Sequence, residues 1–81
     1  MFIVSQDGKH VVNTDHIAEI TTATPAPCIV AVTKTNKRII LATYAPQDEI
    51  VLLRELDDCI RYMSEEKPVY FFPYYAPSEE K

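Results

Sequence analysis

The run Lys37-Arg38-Ile39-Ile40-Leu41-Ala42-Thr43-Tyr44, then Ala45-Pro46-Gln47-Asp48-Glu49, then Ile50-Val51-Leu52-Leu53-Arg54-Glu55-Leu56-Asp57-Asp58-Cys59-Ile60-Arg61-Tyr62-Met63 decides the fold. Its first part is rich in β-branched and aliphatic residues and reads as a buried strand. Pro46 suits the first position of a helix, where its missing N–H costs nothing. Asp48 and Glu49 then favour the positive end of the helix dipole. Ala45 offers no capping oxygen, so this start is weakly capped. Beyond it, Leu52 or Leu53, Leu56, Ile60 and Met63 recur at spacings of three and four, which predicts one apolar stripe. Arg54, Glu55, Asp57, Asp58 and Arg61 fall on the opposite, solvated side. A single stripe on a single helix must bury against a sheet, giving two layers.

Upstream, Phe2 to Ser5 and His10 to Asn13 flank Gln6-Asp7-Gly8-Lys9. Asp-Gly between apolar runs predicts a hairpin with a type I′ turn and Asp7 and Gly8 at its centre. Val4 then faces Val11, and Ile3 faces Val12. Both faces of this hairpin carry aliphatic side chains. One meets the core, and the other is left for the C-terminal tail or a partner. Asn13-Thr14-Asp15 is a polar break suited to a single helical turn. His16 to Ala23, Cys28 to Lys34 and Arg38 to Tyr44 read as three strands, with Ala18, Ile20 and Thr22 on one side of the first. The loop Thr24-Pro25-Ala26-Pro27 and a turn at Thr35-Asn36 separate them. Loops this short give an antiparallel meander. The fold class expected is α+β: an antiparallel, meander-rich sheet of five or six short strands with one amphipathic helix packed on one face.

Eighty-one residues make one domain. The expected boundaries are a single α+β domain over 1–68 and an aromatic, proline-rich C-terminal extension over 69–81. That extension carries Val69-Tyr70-Phe71-Phe72-Pro73-Tyr74-Tyr75-Ala76-Pro77, too apolar for a solvated tail. Val69 to Phe72 reads as a short edge strand, since the prolines that follow cannot donate to a ladder.

The lone glycine leaves no glycine-rich phosphate loop, and the net charge of −4 weighs against binding a phosphate backbone. Lys34, Lys37 and Arg38 gather at one hairpin tip and form the candidate anion patch. The aromatics lie in a separate segment, and the tail adds Glu79 and Glu80, so nucleic acid is the secondary reading. His10, His16, Cys28 and Cys59 show no close ligand pair of the kind zinc sites use. Cys59 stands beside Asp58, where a thiolate is disfavoured. No catalytic, cofactor-binding or metal-ligating residues are assigned, and no enzyme activity is expected. No leader peptide or apolar run of about 20 residues is seen, so a cytoplasmic location and no membrane contact are expected.

Several short motifs carry a resemblance: Ser5-Gln6-Asp7-Gly8-Lys9, then Val12-Asn13, Ile17 and Ile20, Ile40-Leu41-Ala42-Thr43-Tyr44 leading into Pro46-Gln47-Asp48-Glu49, and Pro68-Val69-Tyr70-Phe71-Phe72-Pro73. In this order they resemble short uncharacterised proteins of Gram-positive bacteria and their prophages. The resemblance spans most of the chain, with Ala42 where a glycine is usual. It implies a bacterial, cytoplasmic, prophage-related protein and brings no activity, cofactor or site residue. The functional expectation from the residues is a small non-enzymatic interaction module. Its contact surface would be Tyr70, Phe71, Phe72, Tyr74 and Tyr75, or a strand edge, and its partner a second copy or another protein.

Overall fold

A computed structural model describes residues 1–24 and 26–77. Pro25 of the predicted loop and residues 78–81 of the predicted extension, with Glu79 and Glu80, lie outside the described residues. The fold is α+β, with six strands and one α-helix among the described residues. The strands are β1 (Phe2–Val4), β2 (Val11–Asn13), β3 (Ile17–Ala23), β4 (Cys28–Thr33), β5 (Arg38–Thr43) and β6 (Val69–Phe71). The helix α1 spans Glu49–Ser64 and is entered through a 3₁₀ turn at Pro46–Asp48.

The strands divide into two three-stranded sheets, ordered β2-β1-β6 and β3-β4-β5. The second is the antiparallel meander, with one irregularity in each of its two ladders. The left-handed Asn36, at φ 66°, turns the chain between β4 and β5. In the first sheet, Ile3 faces Val12 and Val4 faces Val11, the predicted register. The turn joining them is different. Gly8 donates to the Ser5 carbonyl at 2.9 Å, so Gln6 and Asp7 are central and only Gly8 takes positive φ, at 73°. Side chains favour this wider loop over a type I′ turn. The Ser5 hydroxyl donates to Asp7 at 2.6 Å, and the Asp7 carboxylate accepts from the Lys9 amide. Asn13 accepts from the Asp15 amide and starts the 3₁₀ turn Thr14–His16.

The strand β6 joins β1 in parallel, pairing Phe2 with Val69, Ile3 with Tyr70 and Val4 with Phe71. The segment from Val69 to Phe72 therefore completes a sheet whose first strand lies at the other end of the sequence. Gln6 ties the two sheets together: its amide donates to the Leu41 carbonyl at 2.7 Å, and its side-chain oxygen accepts from Thr43 at 3.2 Å.

One core lies between the sheets and α1. Ile3, Val12 and Tyr70 come from the first sheet, Ile29, Ala31 and Leu41 from the second, and Leu52 and Cys59 from the helix. The buried helix face is rotated from the predicted stripe. Leu52, Glu55 and Cys59 are buried, whereas Leu53, Ile60 and Met63 are 54%, 52% and 39% exposed. Glu55, predicted on the solvated side, is inside because the Tyr44 hydroxyl donates to its carboxylate at 2.6 Å. That hydrogen bond offsets part of the cost of burying the carboxylate. Leu56 sits at the margin between the two faces, packed against the core.

The helix ends in a Schellman motif. Lys67 donates to the Tyr62 carbonyl and Glu66 to that of Met63. Glu66 occupies the left-handed position there, at φ 57°, where glycine is usual.

Candidate functional site

The five aromatic residues singled out in the C-terminal segment have three different fates. Tyr70 and Phe72 point inward and are buried. Their rings meet edge to face at 5.0 Å, and Tyr62 meets Tyr70 at 4.9 Å. Burial raises the Tyr70 phenol above its ordinary value, with Cys59 and nearby carboxylates adding to the effect. Tyr75 turns back to the start of the helix. Its hydroxyl accepts from the Ala45 amide at 2.9 Å and donates to the Asp48 carboxylate. It anchors the chain at the entry to the helix without replacing the capping oxygen that Ala45 lacks. Only Phe71 and Tyr74 stay outside, at 63% and 87% exposed.

Phe71 belongs to a larger surface. Successive side chains in a strand point to opposite faces, and directly paired residues share a face. Since Ile3, Val12 and Tyr70 fill the inner face, Phe2, Val4, Val11, Asn13, Val69 and Phe71 form the outer one. None of these six is charged. Phe2 is 50% and Val11 65% exposed, so the face is open. Its three strands are tied to the core from within by Ile3, Val12 and Tyr70. The sequence signal for it was the pair of aliphatic faces on the β1–β2 hairpin. The contributions of Phe2 and Val69 have no local sequence signal, because they depend on the parallel pairing of β1 with β6.

A second group of open apolar side chains lies along α1, where Ile50, Leu53 and Ile60 are all more than half exposed. Asp57 interrupts it, lying 60° or less around the helix from each of these at about 100° per residue.

Lys34, Lys37 and Arg38 are exposed at the β4–β5 turn. The turn is ordered by Thr33, whose hydroxyl accepts from the Lys37 amide at 3.0 Å. Tyr44 follows the opposite end of β5 from this tip and is buried. The structure therefore does not bring the basic residues and Tyr44 together. His10, His16, Cys28 and Cys59 are not gathered into a metal-holding group, and no group of three or more His, Cys, Asp or Glu able to do so occurs among the described residues.

A cavity of about 260 Å³ opens between the end of β3 and the start of α1, with Thr22, Pro27, Pro46, Leu52 and Leu53 in its walls. Among the described residues that line it, Glu49 is the ionisable one. Tyr44 and Glu55 make a short charged hydrogen bond, but both are less than a tenth exposed and out of a substrate's reach. No helix among the described residues is long and apolar enough to cross a membrane. The chain matches no protein-family model, no curated protein and no solved structure in comparisons with each.

Proposed function

We propose that this protein is a small non-enzymatic interaction module whose contact surface is the outer face of the β2-β1-β6 sheet. The observation that supports this is the uncharged array of exposed Phe2, Val11 and Phe71 with half-buried Val4 and Val69 on one face of a three-stranded sheet. Aromatic residues are enriched at interface centres and charged ones depleted there. A contiguous apolar patch on a soluble domain marks a contact site. This reading keeps Phe71 from the aromatic segment as a contact residue and replaces Tyr70 and Phe72, which are buried, by the neighbours of Phe71 on the sheet. The protein acts in the cytoplasm in this reading, in keeping with Cys28 and Cys59 both being free thiols. Nucleic-acid binding through Lys34, Lys37 and Arg38 has weaker support, since that turn contains no aromatic side chain for a base to stack on.

The test is affinity capture from the host with the tagged chain, compared with Phe2→Ser and Phe71→Ser. A partner retained by the parent chain and lost by both variants is expected. A partner profile unchanged by either substitution refutes the proposal.

A further inference from the structure

Resting on the interaction reading, we infer that the occupant of this face is a second copy of the same chain, packed sheet on sheet about a two-fold axis. The register of the three strands carries the argument. Across the face, one row reads Val11, Val4, Phe71 and the next Asn13, Phe2, Val69. The two phenylalanines are thus diagonal to one another, each beside a valine on the neighbouring strand.

A two-fold in the plane of the contact, running across the strands, exchanges these rows. Phe71 then meets Val69 of the second copy, Phe2 meets Val4, and Val11 meets Asn13. This axis places every ring against a smaller side chain, so the surface is complementary to itself, as an isologous dimer requires. The ~30° twist between packed sheets preserves this alternation near the axis.

The area agrees. The 50%, 65% and 63% exposures of Phe2, Val11 and Phe71, with the partly open Val4 and Val69, amount to about 400 Å² of apolar side chain, taking ~200 Å² for a fully open phenylalanine. Two such faces at the ~65% apolar content of homodimer interfaces give a contact of about 1,200 Å². That reaches the lower bound of specific interfaces and falls short of permanent ones. A reversible dimer in exchange with the monomer is the outcome. Charge does not oppose it locally, since none of the six outward-facing residues is ionisable. Edge-to-edge pairing through β6 is discouraged by Pro68 and Pro73 on either side of that strand.

Sedimentation equilibrium between about 5 and 500 µM tests this. The parent chain is expected to move from one to two chain masses over that range. Phe71→Glu and Val11→Lys should hold it at one, with melting curves showing both variants folded. Leu53→Glu, on the exposed side of the helix, should leave the dimer intact. A parent chain that is monomeric throughout overturns the inference, as does a dimer that survives both face substitutions. A monomeric parent that still captures a partner lost by Phe71→Ser removes the second copy alone. A monomer whose captured partners ignore that substitution removes the interaction reading as well.

Discussion

Replacing Tyr44 by phenylalanine removes one oxygen atom and leaves the Glu55 carboxylate buried without its donor. The hydroxyl lies 2.6 Å from the carboxylate, and the two residues are 4% and 8% exposed. A hydrogen bond to a charged group contributes about 1.5–3 kcal/mol, and a buried group stripped of its partner bears its full desolvation cost. We expect Tyr44→Phe to lose about 2–3 kcal/mol. A domain of this length has roughly 4–12 kcal/mol in total. The melting temperature should fall by about 10–20 °C, at the ~4–8 °C per kcal/mol of small domains. Glu55→Met alone strands the phenol and should cost about 1–3 kcal/mol. The double variant replaces both polar groups by apolar ones and should recover most of the loss. Urea unfolding of the four proteins at pH 7 closes the cycle, with an expected coupling of about 2 kcal/mol. A coupling within about 0.5 kcal/mol of zero would refute the claim that this pair holds the helix in its observed rotation.

Three further outcomes follow from the same packing. Glu66→Gly relieves a left-handed conformation at the helix end, and removes an acid from the negative end of the dipole. It should raise stability by about 1 kcal/mol in thermal melts, and a decrease would contradict the Schellman geometry. Burial pushes the Cys59 thiol from 9.0 up to about 11, so the folded chain holds this proton more tightly than the unfolded chain. Stability is then full below pH 9 and falls as pH rises from 9 to 11, by about 1 kcal/mol near pH 10. Cys59→Ala should flatten most of that decline in melts taken between about pH 8 and 9.5, where the buried tyrosines contribute less than the thiol; an unchanged decline would assign it elsewhere. Leu52→Ala should cost about 2–4 kcal/mol and Ile60→Ala less than about 0.5, and the reverse order would favour the stripe expected from spacing alone.

The parts of the fold that were legible rest on local chemistry. Asn36 tolerates the left-handed turn, Asn13 nucleates the 3₁₀ turn, and the alternation in Ile3-Val4 and Val11-Val12 sets the hairpin register. The helix rotation was not legible, because hydrophobic periodicity places a glutamate on the solvent side. The residue that brings Glu55 inside, Tyr44, belongs to the preceding strand end and shows no pattern with it. The division into two sheets depends on pairing β1 with β6, a contact between opposite ends of the described chain that no local signal encodes. The candidate face inherits that difficulty. Val4 and Val11 could be seen together from the hairpin, while Phe2, Val69 and Phe71 join them only through the parallel ladder. The sequence places Tyr75 in a contact surface, whereas its bond to Ala45 depends on the same return of the chain.

The parallel ladder between β1 and β6 also sets a timetable for synthesis. Of the six strands β1 leaves the ribosome first and β6 last, roughly 65–70 residues later, a delay on the order of 3–15 s at ~5–20 residues per second. Through that interval the nascent hairpin holds Ile3 and Val12 without Tyr70 to cover them, and the meander and helix lack Phe72. The domain therefore closes only after translation has passed β6, in a single late event that docks the last strand beside the first. Messenger sequences that slow elongation between α1 and β6 should lengthen the life of the open intermediate and lower the yield of folded protein.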